Sequence, residues 1–173
     1  MAADAGRAVS RGALLALHTL GVLWTLPNTA IGLVAGLVAM CFGAKPRFAR
    51  DDCALVFNRL PWGPGGAITF GNVILNTHAD LDGRCRTYAT REGLCEDPMT
   101  RIGDHERAHV FQYMALGPFF LPLYLGFGGV SVRNPFERAA DRYAMTGRDW
   151  WPWLKVNSMK ALRAELSRRK ASA

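Results

Sequence analysis

Charge is missing from one long stretch of this chain. Between Gly12 and Ala44 lie 33 residues without a single Asp, Glu, Lys or Arg. A buried core helix of that length, polar on no face, would be unusual in so small a protein. The four cysteines, 41, 53, 85 and 95, show neither a CxxC pair nor a zinc-ribbon spacing, so no cysteine-built metal module is encoded. Cys85 and Cys95 could bridge in an oxidising compartment or stand as separate thiols, and both forms remain open. Internal repeats and low-complexity tracts are absent. So is any DNA- or RNA-binding motif that would give the net charge of +7 a nucleic-acid meaning.

What is present fits one domain plus an appendage: 173 residues, half of them apolar. The charge is uneven. From Arg148 onward seven Lys/Arg face only Asp149 and Glu165, an excess of five, and the rest of the chain is nearly balanced. A basic tail beside an apolar segment suits a surface of anionic lipid more readily than nucleic acid.

A membrane span needs about 20 apolar residues, and the uncharged run is long enough. It is too long for the apolar centre of a secretory signal, and no small-residue cleavage site is evident. Pro27 and Asn28 interrupt it within "TLPNTAIG". Two forms satisfy this: a single kinked span, or a re-entrant hairpin with arms 13–26 and 30–43. Arg7 and Arg11 on one side and Lys45, Arg47 and Arg50 on the other nearly tie, so orientation stays open. His18 is a lone imidazole to which the sequence gives no role.

Beyond the run, "ALVFNRL" (54–60) and "AITFGNVILN" (67–76) read as the two strands of a β-hairpin around the turn-forming "PWGPGG" (61–66). Residues 77–97 are polar and aperiodic, a loop carrying His78. Asp97-Pro98 then starts a helix that Gly117-Pro118 stops, predicting about five turns over 98–116. On that helix His105 and His109 stand four apart and share a face, so both imidazoles can hold one ion; Gln112 continues the stripe. Glu106, about 100° round the helix, can reach a water at the ion without being a ligand. A second helix starts at Asn134-Pro135 and places Glu137 and Asp141 four apart on one face. It could supply a third ligand and a carboxylate that orients a ligand histidine.

The pair His105-Glu106-Arg107-Ala108-His109 and Glu137-Arg138-Ala139-Ala140-Asp141 resembles the HExxH and ExxAD signatures of the gluzincin metallopeptidases. The resemblance covers the two helices closely and the hairpin loosely, and leaves out residues 1–50. It implies Zn²⁺ held by His105, His109 and Glu137, with Glu106 as general base and with Asp141 and Gln112 supporting the ligands. It also implies strand 67–76 as the sheet edge along which an extended peptide lies. Arg107 departs from the pattern, since that helix position normally carries no charge; Asp104 or a lipid headgroup could pair with it. No residue is singled out as oxyanion donor, and Tyr113, Tyr124, Tyr143, Arg133 and His78 remain unranked candidates.

The apolar stretch 115–132, cut by Pro118, Pro122 and glycines, is expected to line a pocket beside the metal or to dip into a bilayer surface. "WWPW" (150–153) has the composition of an interfacial girdle. A helix over 153–169 carries Val156, Met159, Leu162 and Leu166 on one stripe, set either on a membrane or against the domain.

The expected protein is α+β: a small zincin-like domain (β-hairpin, HExxH helix, ExxAD helix) with an N-terminal membrane helix or helical hairpin. Residues 1–49 form the anchor, 50–148 the metallohydrolase domain, and 149–173 a basic amphipathic end. The expected activity is zinc-assisted hydrolysis of a peptide or protein at a bacterial inner membrane, with a membrane-proximal peptide as the natural substrate. Anionic lipid is the other expected partner. Two rivals stand beside it: a non-catalytic membrane protein using the same scaffold to bind a partner or lipid, and a lipid-binding module without metal. Substrate, membrane side and oligomeric state stay open.

Overall fold

The computed structural model describes residues 11–94, 96 and 99–153. It is an α+β arrangement: one helix covers one face of a four-stranded sheet, a second covers the other face, and a third packs on that second helix. Helices α1 (Arg11–Trp24) and α2 (Leu26–Met40) come first. Strands β1 (Lys45–Ala49), β2 (Ala54–Asn58), β3 (Ala67–Phe70) and β4 (Val73–Asn76) follow, in the spatial order β1-β2-β4-β3. A minor pair, β5 (Arg84–Cys85) with β6 (Thr100–Arg101), brackets the short helix α3 (Tyr88–Arg91). Helices α4 (Ile102–Leu116), α5 (Phe120–Gly126) and α6 (Pro135–Thr146) complete the described chain.

The predicted hairpin is redrawn by the structure. Residues 54–60 and 67–76 do not pair antiparallel around the Pro/Gly turn. Instead 67–76 is itself a hairpin: β3 and β4 pair antiparallel with Phe70 opposite Val73, while β2 runs parallel to β4 with Leu55 opposite Val73. The two-residue turn between them is Gly71-Asn72, with Gly71 at φ +60°, a conformation that favours glycine. A side chain at Gly71 would also strike Thr29 of α2 at 2.2 Å. The parallel pairing has a cause in composition. "ALVF" and "VIL" are apolar at successive positions, so both strands bury both faces. Ala54, Val56 and Ile74 face Ile102 and Val110 of α4, while Phe57, Val73 and Leu75 pack with Leu33 and Ala35 of α2. Only β3, of the predicted 67–76 strand, lies at the sheet edge.

The uncharged run is not one straight helix either. It breaks at the single residue Thr25, and α1 and α2 are bent by 67°. The break therefore comes earlier than the arms 13–26 and 30–43 placed it, because Pro27 sits in the first turn of α2, where no amide hydrogen is required of it. No single helix among the described residues is long and apolar enough to cross a membrane; the bent pair passes that test together. One face of α2, built from Asn28, Thr29, Gly32, Gly36 and Ala39, is buried on the sheet. A side chain at Gly36 would run into the Phe57 ring at 2.3 Å. The outward face keeps Ile31, Val34, Leu37 and Val38 at least half exposed.

Polar side chains at the bend fasten the helices to the rest. Thr25 Oγ1 donates to Asn72 Oδ1 (2.6 Å), the Asn72 amide donates to Thr29 Oγ1 (3.1 Å), and Asn28 Nδ2 donates to the Gly117 carbonyl (2.9 Å).

The histidine helix starts at Ile102, four residues later than predicted, because Thr100 and Arg101 are taken up by the strand pairing with Arg84 and Cys85. The predicted Asp97-Pro98 start lies outside the described residues. Arg107 is satisfied by the buried Asp52 on the β1–β2 turn at 2.8 Å, with Asp104 farther off at 3.6 Å. Cys41, Cys53 and Cys85 are free thiols, and Cys95 lies outside the described residues. Of the aromatic girdle, Trp150 packs on Phe111 of α4, and Trp153, half exposed, packs on Phe127 and Phe136. The helix expected over 153–169 lies outside the described residues beyond Trp153.

Candidate metal centre

Four elements build the centre. Helix α4 presents His105, Glu106, His109 and Gln112, all buried. Helix α6 lies against it and presents Glu137 and Asp141, also buried. Its start is set by Asn134, whose Oδ1 accepts from the Phe136 amide, and its end by Gly147 in the left-handed region. Asn134 Nδ2 also donates to the carbonyls of Tyr124 and Gly129, which ties down α5 and places Tyr124 at the site. Strand β3 contributes Thr69.

His105 Nε2, His109 Nε2 and Glu137 Oε2 converge on one point. Their separations are 3.0 Å (His105–Glu137), 3.2 Å (His105–His109) and 3.5 Å (His109–Glu137). Donors about 2.0–2.1 Å from a common tetrahedral ion lie about 3.3 Å apart, so the three separations fit such an ion. The ring nitrogens on the far side are engaged. His105 Nδ1 meets Asp141 Oδ1 at 3.0 Å, and His109 Nδ1 meets Gln112 Oε1 at 2.8 Å.

The Gln112 amide cannot be turned round. Its Nε2 donates to the carbonyls of Phe136 (3.2 Å) and Trp150 (2.9 Å), so its oxygen must face His109 and accept from Nδ1–H. Both imidazoles thus carry their proton on Nδ1 and turn bare lone pairs toward each other and toward a carboxylate. Three electron pairs at these distances in a buried site repel unless a cation or a proton lies among them. His105, His109 and Glu137 form a buried group able to hold a metal ion.

Charge shifts agree with that geometry. Burial pushes His105 down, but its hydrogen bonds to Asp141 and Glu137 outweigh this and hold it well above the ordinary imidazole value. In His109 burial is likewise outweighed by the charge and hydrogen bond of Glu137. Burial would raise Glu137; the charge of His109 and the hydrogen bonds to both histidines bring it below the usual carboxylate range. Without metal, then, the fold favours protonation of the imidazoles beside Glu137. For a raised imidazole the contribution to stability is complete below about pH 6.5 and disappears as pH rises through the folded-state value. Metal binding has the opposite sign, since it requires neutral imidazoles. The gap in Tm between metal-loaded and chelator-treated protein is expected to widen from about pH 6 to about pH 8. Calorimetry checks this; a constant gap would mean that metal binding releases no net protons in this range, and so that the imidazoles do not deprotonate to bind it.

Glu106 lies beside the ligands, and its Oε2 accepts from Thr69 Oγ1 at 2.6 Å. Tyr124 donates to Glu137 Oε1, which leaves Oε2 for the ion position. Phe120 and Tyr124 of α5 pack on the His109 ring, so the stretch 115–132 does line the site. Asp141 accepts a second bond, from the Tyr88 amide. Tyr88 in turn packs its ring 5.9 Å from that of His105. Burial raises the Tyr88 hydroxyl's pKa, and the charges of Glu137 and Glu106 raise it further.

Of the oxyanion candidates, only Tyr124 reaches the site. Tyr113 is buried with Phe120 and Phe136, and Tyr143 packs with Phe111. Arg133 and His78 are exposed. Sequence reasoning missed Thr69 and Tyr88. The signal for Thr69 was a lone hydroxyl in an apolar strand; for Tyr88 it was the Thr87 cap, whose side chain accepts from the Thr90 amide.

One edge of the sheet opens beside the centre. The carbonyls of Asn72 and Asn76 accept from Leu55 and Leu60, whereas the Thr77 amide donates to Gly66. Even-numbered residues of β4 therefore bond toward β2 and odd-numbered ones toward β3. With Ile68 opposite Leu75 and Phe70 opposite Val73, the main-chain groups of Ala67 and Thr69 point to the free edge. No family model matches the chain, and no match was found among curated proteins or solved structures.

Proposed function

We propose that the chain is a membrane-anchored, zinc-dependent metallohydrolase of the gluzincin type, acting as a peptidase. The observation that carries this is the convergence of three buried donors with Glu106 beside them, the histidines' other nitrogens being held by Asp141 and Gln112. Two imidazoles and one carboxylate suit zinc and leave its fourth position open. Bound there, zinc would polarise a carbonyl and bring the pKa of water towards about 7. Glu106 takes the proton of the attacking water and passes it to the leaving nitrogen. Asp141 and Gln112 keep the imidazoles in the right tautomer. The Tyr88 hydroxyl, unpartnered among the described residues and kept protonated, can donate to charge developing on the carbonyl oxygen. An extended peptide would pair with Ala67 and Thr69 as an added strand.

The outward leucines and valines of α1 and α2 support seating in a bilayer, since soluble surfaces rarely carry so large an apolar patch. The basic C-terminal end suits anionic headgroups. Detergent-purified protein is expected to cleave an internally quenched peptide library. A chelator such as 1,10-phenanthroline should remove the activity and added zinc restore it. Turnover indifferent to chelation would refute the zinc mechanism.

A further inference from the structure

We infer that Thr69 is a positioning residue for Glu106, and that through it one residue of the edge strand serves both substrate docking and the base. The inference rests on the proposed role of Glu106 and deepens it. Thr69 occupies the third position of β3 and is buried, whereas its neighbour Ile68 is 47% exposed. Its hydroxyl points inward across the gap to α4, where Oγ1 stands 2.6 Å from Glu106 Oε2 and 3.5 Å from the Glu106 carbonyl. The carboxylate can only accept, so the hydroxyl donates. No other side-chain hydrogen bond is made to Glu106 by the described residues.

A glutamate beside a metal centre has three side-chain torsions to fix, and burial against apolar neighbours does not orient its carboxylate plane. One short bond to a charged acceptor does. It occupies Oε2 and leaves Oε1 for the water. The backbone of the same residue faces the other way: the Thr69 N–H and C=O lie on the free edge. A peptide strand pairing there fixes β3, and with it the hydroxyl that holds the base. The side chain and the main chain of Thr69 thus make separable contributions. Loss of the hydroxyl should disturb the base while leaving the docking edge intact.

Acetohydroxamate tests this without a known substrate. Its two oxygens chelate zinc, and its N–O oxygen hydrogen-bonds to a carboxylate placed where the base acts on water. Binding to the zinc-loaded full chain is measured by calorimetry at one pH, with metal content and Tm recorded for each variant. Thr69→Val should weaken binding about tenfold, the scale of one lost bond to a charged group, with zinc content unchanged. Thr69→Ser, which keeps the hydroxyl, should bind within about twofold of wild type, and a merely structural role would not give that rescue. In peptide cleavage Thr69→Val should lower kcat and leave KM in place. Thr69→Ala stands in if valine does not fold.

Weak binding by Glu106→Gln with wild-type binding by Thr69→Val would overturn the role of Thr69 alone. Equal weakening by serine and valine would overturn it too, since the hydroxyl would then not matter. Wild-type affinity in Glu106→Gln would instead overturn the role of Glu106, and the inference with it.

Discussion

Alanine at His109 or at Glu137 is expected to take bound zinc from about one ion per chain to less than about a tenth of that. Each variant removes one of three donors, and two donors in a site built for three hold an ion poorly. The chelated variants also lose part of the hydrogen bonding and charge pairing that Glu137 shares with the imidazoles without metal, so their Tm should fall modestly below that of chelated wild type. The expected signature is a cooperative thermal transition in the chelated variants with the zinc-induced rise in Tm abolished. Mass spectrometry of metal content beside thermal scans separates this from misfolding. Zinc retained at full occupancy in either variant would place the ion elsewhere. Zinc absent from folded wild type after loading would leave two histidines on a helix and no centre.

Glutamine at Glu106 should lower peptide cleavage by about 10²–10⁴-fold while zinc stays bound, the range that a positioned general base supplies. The substitution is nearly isosteric, and the amide oxygen can still accept from Thr69 Oγ1, so the local structure has no reason to move. On the proposed mechanism, what would be lost is the capacity to take a proton from water and return it to the leaving nitrogen. Cleavage by a mass-resolved peptide library assay measures the effect. A wild type with bound zinc and no cleavage above that of the glutamine variant would favour the rival in which the scaffold binds a partner and catalyses nothing.

The parts of this structure set by local sequence were legible. His105 and His109 share a face because a helix turn is 3.6 residues, and Asn134-Pro135 starts α6 because cap and proline act within one turn. Gln112 could be placed near the site in the same way, though not its bond to Trp150, which depends on where the chain returns. Non-local competition explains the misses. Gly71-Asn72 is a hairpin turn inside a run that reads as one strand, and its glycine is also needed where α2 passes close by. Thr100 and Arg101 leave the histidine helix because Cys85 and Arg84 of an earlier strand claim them. Arg107 looked foreign to a buried helix until Asp52 arrived from the β1–β2 turn. Tyr88 comes from a polar stretch without period, and only the packing of α3 near α6 brings it to His105.

The bonds at the Thr25 bend have a consequence for selection. Thr25, Asn28 and Thr29 grip the β3–β4 turn and the end of α4, the two elements that carry Thr69 and the histidines. Nothing resembling a linker separates the apolar helices from the centre. If the chain is the lipid-seated peptidase proposed above, it would work as a depth gauge: the cutting position would stand at one fixed height, and bonds would be chosen by their elevation above the lipid as much as by the residues that flank them.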